Sequence, residues 1–194
     1  MLEYGEQGCS VMNDLKKELL DLYEQQELHL KENFDRSLPF QDGLFDRFDK
    51  AKRLGFGEGA SIYNSALLFG DVKVGLKTWV GPYVILDGSG GCIEIGDYCS
   101  ISAGVHIYTH DSVMWALSGG KSEFIKGSVA IGSNTYIGAQ SIIKAGVKIG
   151  SHCLIGANSF INIDINDNLI VVGSPAKIIG RVDENDGIVT LKYF

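Results

Sequence analysis

The 194-residue sequence contains only 3 prolines, and its 4 cysteines, Cys9, Cys92, Cys99 and Cys153, show no C-x-x-C spacing. A chain of this length can bury a core of its own, so a disulfide-stapled scaffold and a cysteine-knuckle metal site are both disfavoured. No window approaches the ~18 apolar residues that a membrane span requires. The first residues, "MLEYGEQGCSVMNDLKKELL", lack the basic-then-apolar layout of a signal peptide. Lys and Arg never cluster into a block that could track a phosphate backbone, and the net charge is −7. These absences predict a soluble, cytoplasmic protein with no nucleic-acid partner and no membrane insertion, and the length predicts one folded unit.

Glycine, by contrast, is abundant at 25 residues, and it recurs in register. In "AIGSNTYIGAQSIIKAGVKIGSHCLIGANSFIN", residues 130–162, an aliphatic residue falls at every sixth position: Ile131, Ile137, Ile143, Ile149, Ile155 and Ile161. The same beat runs through Ile62, Leu68, Val74, Val80 and Leu86, slips by three residues at "DGSGGCIE", and resumes at Ile95, Ile101 and Ile107. A third run starts at Ile125, or securely at Ile131. Four residues after each anchor stands a small or β-branched residue, among them Ala66, Thr78, Val84, Cys99, Val105, Thr135, Ser141, Cys153 and Ser159. Neither a helix nor a simple strand has this period. A short fixed repeat signals a solenoid whose units bury their inner side by stacking. Three six-residue walls would close one triangular turn, with anchors inward, small residues filling the remaining space, and the glycine after each anchor at a left-handed corner. Cys99 and Cys153 then read as small core residues.

Residues 13–34 have leucines at helical spacing, Leu15, Leu19, Leu22 and Leu30, with Asn13 as a candidate cap. Residues 35–60 read as a connector with short helical pieces, in which Lys50, Lys52 and Arg53 form a basic cluster open to two readings, a solvated turn or an anion site. The expected organisation is a helical segment and connector at 1–60, the repeat domain at 61–182 with an excursion at about 108–127, and a C-terminal tail at 183–194.

The repeats "IGSNTY", "IGSHCL" and "IGANSF", followed by "VVGSPAKIIGRV", resemble the hexapeptide-repeat acyltransferases, and "IYTHDSV" resembles the segment bearing the catalytic histidine in their maltose and galactoside acetyltransferase branch. The resemblance covers residues 60–182. It implies a mainly β fold, a left-handed parallel β-helix, preceded by the α-helical segment. It also implies a homotrimer that takes acetyl-CoA as co-substrate, uses no metal, and acetylates a hydroxyl or amino group of a sugar, nucleotide-linked or from a surface polysaccharide.

His110 matches the catalytic position, and histidine suits a base that deprotonates an acceptor at neutral pH. Asp87 and Asp111 are candidates to orient its ring or hold the acceptor, with a turn-forming role as the alternative for Asp87. Trp115 is either an acceptor platform or a plug that pins the excursion. For the acyl donor, the resemblance points to Tyr136 beside the pantetheine arm, to the backbone near Gly138, Ala139, Gly156 and Ala157, and to Lys177 and Arg181 for the phosphates. One departure stands out: related sugar acetyltransferases often carry Thr-Lys where this chain has Asn162 and Ile163. Two rival readings remain open at this point. One is acetylation of an antibiotic or a serine-like amino acid; the other is a zinc-dependent, carbonic-anhydrase-like β-helix, for which His106, His110 and His152 are the available ligands and fall at unmatched repeat phases.

Overall fold

The computed structural model describes residues 6–194, with side chains described from residue 12 onward, so that Cys9 lies outside them. It divides into two compact units, one ending at Asp46 and the other spanning Arg47–Phe194. In the first, helix α1 (Glu6–Phe34) is followed by α2 (Phe40–Leu44), and the Tyr23 and Phe40 rings meet at 5.9 Å. The helix starts well before Asn13, which therefore lies inside α1 instead of capping it. Residues 6–12 carry no proline to stop a helix from extending upstream of the apolar pattern. Leu15 and Leu19 remain half exposed.

The second unit opens with α3 (Arg47–Arg53) and continues as a coil of short parallel strands. Of the basic cluster, Lys50 donates from Nζ to the carbonyl oxygens of Tyr63, Asn64 and Ala66 at 2.9, 3.3 and 3.2 Å, clamping the first corner of the coil. Lys52 and Arg53 are exposed.

Strand register shows how the six-residue beat becomes architecture. On one wall Ile62 pairs with Val80 and Ile137 with Ile155, each eighteen residues on, so a turn consumes three repeats. Leu68 with Leu86 and Ile143 with Ile161 repeat that step on a second wall, as does Ile131 with Ile149 on a third. Each turn advances by the ordinary spacing between hydrogen-bonded strands, about 4.8 Å. Two turns are longer. Val80 to Ile101 takes twenty-one residues, and Ile101 to Ile137 takes thirty-six, so the coil absorbs a three-residue insertion and an eighteen-residue one without losing register.

The anchors form the core: Ile62, Val80, Leu86, Ile101, Ile107, Ile137, Ile143, Ile155 and Ile161 are fully buried. Each such side chain contributes roughly 1.5–3 kcal/mol through burial. Leu68 is only partly buried, and Ile125 is half exposed on the excursion, so the third run begins at Ile131. The spacing of Ile125 matches the beat, but no turn stacks over it.

Cys99 and Cys153 are buried in the coil, and burial pushes both thiols above their ordinary pKa. The inward hydroxyls are satisfied by the corners: Thr78, Thr135 and Ser141 donate to the carbonyls of Gly96, Gly150 and Gly156 at 2.7, 2.9 and 3.0 Å.

The corner glycines have a different cause from the one expected. The left-handed residue lies three after the anchor, as at Tyr83, Tyr98, Asn134, Gln140, His152 and Asn158, with φ between 54° and 62°. The glycine that follows the anchor is needed because the next turn passes directly over it. A Cβ on Gly138 would lie 2.4 Å from the Ala157 nitrogen, and one on Gly132 2.6 Å from the Ser151 nitrogen. Asparagine tolerates the left-handed positions because its short side chain can bond locally.

Past the last turn, the chain reverses into an antiparallel hairpin. Lys177–Asn185 pairs with Leu169–Val172 on one side and with Ile188–Tyr193 on the other. Residues 183–194, set apart by sequence as a tail, thus form part of a sheet.

Candidate active site

The eighteen-residue excursion leaves the coil after strand His106–Tyr108 and returns at strand Val129–Ile131. Its root is a two-residue antiparallel ribbon in which His110 faces Lys126 and Asp111 faces Ile125. Between them lies α4 (Val113–Leu117), and the Asp111 carboxylate accepts the Val113 N–H at 2.7 Å. Asp111 therefore shapes the start of this helix.

His110 is held on several sides. Its ring lies 6.1 Å from that of Phe124 at an interplanar angle of 11°, a stacked arrangement. Trp115 meets Phe124 edge-on at 5.7 Å, so Trp115 braces the residue that braces the histidine. Asp87 Oδ2 lies 3.7 Å from His110 Nδ1, and Ser89 Oγ lies 3.4 Å from the same nitrogen. Beneath them, buried Thr109 ties the two segments together. Its N–H and hydroxyl donate to Asp87 O at 3.0 and 2.6 Å, and its Oγ1 accepts the Gly90 N–H at 2.9 Å.

His110 opens onto a cavity of about 400 Å³ lined by Tyr108, Asp111, Ser112, Ile142, Lys144, Ala145 and Phe160. Stacking creates this grouping. His106, Ile142 and Phe160 occupy the same place on successive turns, so the residues two further along, Tyr108 and Lys144, share a corner. Tyr108, Ile142, Lys144, Phe160, Ser89 and Phe124, with Ser112 and Ala145, are the members that pattern reading missed. For the first four the signal is available: adding thirty-six and then eighteen to the His106 position gives Ile142 and Phe160, and Tyr108 and Lys144 lie two residues beyond His106 and Ile142.

His106 lies on the outer face of the coil wall, with Nδ1 3.3 Å from the Tyr108 hydroxyl. His152 sits at a distant corner beside Asn134. Among the described residues no group of three or more His, Cys, Asp or Glu side chains is gathered as metal ligands would be.

The candidate donor-binding residues lie elsewhere. Tyr136 borders a second cavity, about 370 Å³, with Asn134, His152, Leu154 and the hairpin residues Val182, Glu184, Val189 and Leu191. The amides of Gly138 and Gly156 donate to Ile155 O and Val171 O, so both are engaged within the coil. Lys177 is exposed at the start of the hairpin. Arg181 pairs with Asp183 at 3.1 Å. A hydrogen bond from Lys192, with Arg181 adding its charge, holds the Asp183 carboxyl below the ordinary carboxylate range. Within one chain, then, the Tyr136 cavity and the His110 cavity share no lining residue.

The family profile of the bacterial transferase hexapeptide (six repeats) matches residues 128–162, the stretch in which all six anchors are buried. That stretch carries the transferase hexapeptide repeat. Solved structures extend this likeness over most of the hexapeptide coil. A maltose O-acetyltransferase from Clostridium difficile 630 superposes with a TM-score of 0.64 at 27% identity, over 84% of this chain and 89% of that one. The hexapeptide-repeat-containing acetyltransferase VCA0836 from Vibrio cholerae O1 biovar eltor, complexed with acetyl coenzyme A, gives 0.61 at 25% identity, over 84% and 89%. Protein CapG of Staphylococcus aureus is 42% identical over 92 residues, 47% of this chain; the match spans about half of that relative, 54%. Repeat and fold together make this chain similar to hexapeptide acetyltransferases.

Proposed function

We propose that the protein is a coenzyme A-dependent acyltransferase that moves an acetyl group from acetyl-CoA to a hydroxyl or amino group of a sugar, nucleotide-linked or belonging to a surface polysaccharide. His110 is the general base. The observation that carries this reading is the setting of that one imidazole. It sits at the break in an otherwise regular coil, clamped by Phe124 on one face, approached by Asp87 and Ser89 at Nδ1, and open to a cavity of about 400 Å³.

In the reaction, the donor supplies a thioester carbonyl. His110 takes the proton from the acceptor as its oxygen or nitrogen attacks that carbon, which is worth roughly 10²–10⁴-fold in rate for a positioned base. Charge develops on the carbonyl oxygen and is met by a backbone N–H of a neighbouring coil. Collapse forms the acetyl ester or amide and releases the thiolate. Tyr108 and Phe160 give the cavity apolar faces, while Lys144, Asp111 and Ser112 supply polar groups, a mixture that suits a sugar.

In this reading the coil is left-handed and three copies assemble, with coenzyme A in the groove between neighbours. Exposed Tyr136 and Lys177 suit a carrier with an amphipathic arm and an anionic end. The sugar acceptor is supported by the likeness to a maltose O-acetyltransferase, and acetyl-CoA by the likeness to an acetyltransferase complexed with it.

The test is release of free thiol from acetyl-CoA against a panel of nucleotide sugars, amino sugars and neutral disaccharides, with amino acids and aminoglycosides as the contrast. Stimulation by a sugar class, together with a trimeric mass in sedimentation, supports the proposal. Stimulation confined to the contrast compounds, or no thiol release with any acceptor, refutes it.

A further inference from the structure

The three-residue insertion in the coil has a chemical consequence at His110. Strands Leu67–Val74 and Ile85–Ile95 run in register from Leu67 opposite Ile85 to Gly70 opposite Gly88, and again from Val72 opposite Ile93. Between those points a single residue, Asp71, opposes the four residues Ser89–Cys92. The insertion is thus a bulge, a device that re-aims side chains and recurs next to active sites. What it aims is Ser89. Asp87 stands in register just before the bulge, and Ser89 is the first residue within it, so the insertion adds a second group at the Nδ1 edge of the imidazole.

Hydrogen-bond directions within the bulge are fixed by chemistry. The Asp87 carboxylate can only accept. It takes both the N–H of Ser89, at 3.1 Å, and the Ser89 hydroxyl on Oδ1, closing a tight turn. Because the Ser89 proton points at Asp87, the oxygen can offer His110 Nδ1, 3.4 Å away, only a lone pair. Asp87 Oδ2, 3.7 Å from the same nitrogen, likewise offers only lone pairs. Both groups facing Nδ1 are acceptors. We infer that Ser89 is a positioning residue which, with Asp87 behind it, holds the proton of neutral His110 on Nδ1 and so keeps Nε2 as the basic nitrogen.

This inference rests on the acyltransferase reading with His110 as base and adds to it which nitrogen reacts and what enforces that choice. The protonated nitrogen of a histidine is set by the hydrogen bond made at the other edge. A free neutral imidazole side chain favours the opposite tautomer, with the proton on Nε2, so the bulge reverses an intrinsic preference. The separation of 3.4 Å is long, as catalytic contacts often are before substrate arrives, and they tighten in the complex. Other charged groups near the ring do not compete for Nδ1. Lys126 lies opposite His110 in the ribbon, the Asp111 carboxylate is engaged by the Val113 N–H, and Lys144 lines the cavity. Phe124 restricts the ring plane, and the contacts from Ser89 and Asp87 mark the edge that carries Nδ1.

The experiment uses the full chain labelled with 15N-histidine, in buffer alkaline enough that the imidazole is neutral. Long-range proton–nitrogen spectra report which nitrogen of each histidine carries hydrogen, and His110→Gln identifies the relevant signals. The wild type should read Nδ1–H. Ser89→Ala, at an exposed position that tolerates truncation, should move the population toward Nε2–H. It should also lower kcat for thiol release about 10-fold, part of what a positioned base contributes, while leaving KM for acetyl-CoA within about twofold. Ser89→Thr, which keeps the hydroxyl, should restore both readouts. Asp87→Asn should lower kcat as well, and the Ser89→Ala/Asp87→Asn double variant should be no worse than the poorer single one, because both act through one chain of bonds. An unchanged tautomer in Ser89→Ala, failure of threonine to rescue, or additive losses would each overturn the inference. His110→Ala separates this from the underlying reading. If that variant loses turnover while Ser89→Ala keeps the wild-type spectrum and rate, only the role of Ser89 is refuted. If His110→Ala itself retains turnover, the acyltransfer mechanism fails.

Discussion

Gly90→Ala tests how closely the coil insertion supports the histidine. Gly90 is absent from the left-handed glycines, so adding a methyl group there probes space without imposing backbone strain. The added Cβ would lie 2.4 Å from the Thr109 carbonyl oxygen and 2.6 Å from His110 Cβ, whereas ordinary contacts begin at 3.4 Å. Thr109 is fully buried and bonded to Asp87, so it cannot swing aside. Relief therefore demands a shift of about 1 Å in the strand that carries His110. Overpacking of this kind costs about 1–3 kcal/mol, which for a chain of this size lowers Tm by about 2–4 °C per kcal/mol. The displacement has a larger effect on turnover, because a misplacement of about 1 Å can cost 10²-fold. Gly57→Ala supplies the control: its Cβ would meet the Gly75 carbonyl carbon and the Leu76 nitrogen, both at 2.4 Å, at the start of the coil. Calorimetry and acetyl-CoA turnover on both variants should show similar thermal losses but a collapse of kcat only in Gly90→Ala. Equal retention of kcat in the two variants would refute the claim that the insertion sets the histidine.

Two further predictions concern the coil itself. Ile143→Ala empties a fully buried anchor that pairs with Ile107 and Ile161, and should cost about 2–5 kcal/mol in urea unfolding; a loss below about 1 kcal/mol would contradict the stacked interior. Burial raises the Cys99 and Cys153 thiols, so the stability they contribute is present below the unfolded thiol value of about 8.5 and is lost as pH rises past it. Urea midpoints should therefore fall more steeply on the alkaline side for the wild type than for the Cys99→Val/Cys153→Val variant, and alkylating reagents should modify both thiols only on unfolding. Parallel slopes would contradict their burial.

Most of the coil could be read directly from the six-residue beat, because inward side chains in a solenoid touch the same position on the next turn and the pattern is local. Cys99 and Cys153 fell into place on that ground alone. What escaped depends on facts that a one-dimensional pattern does not carry. The glycine after each anchor was assigned a left-handed backbone, but such a residue lies three after the anchor; close approach of the next turn, visible only in three dimensions, accounts for the glycine. Ile125 fits the beat and is exposed because no turn stacks over it. Asn13 fits a cap and lies within α1 because residues 6–12 carry no proline and join the helix. At the site, His110 and Asp87 drew notice because each stands where the beat is interrupted, and the structure sets them 3.7 Å apart; Trp115, open to a platform and a plug reading, meets Phe124. Ser89, Phe124 and Lys144 became visible only once the insertions were known to preserve register, which sets Ser89 and Phe124 against the His110 ring and Lys144 in the cavity that ring opens onto.

The most direct measurement of the central claim is steady-state thiol release from acetyl-CoA by His110→Ala beside the wild type, with an active sugar acceptor and with acetyl-CoA affinity followed by calorimetry. The account predicts a fall in kcat of roughly 10²–10⁴-fold with donor affinity unchanged. Turnover within about twofold of wild type would contradict it, since a positioned base contributes at least ten times more than that.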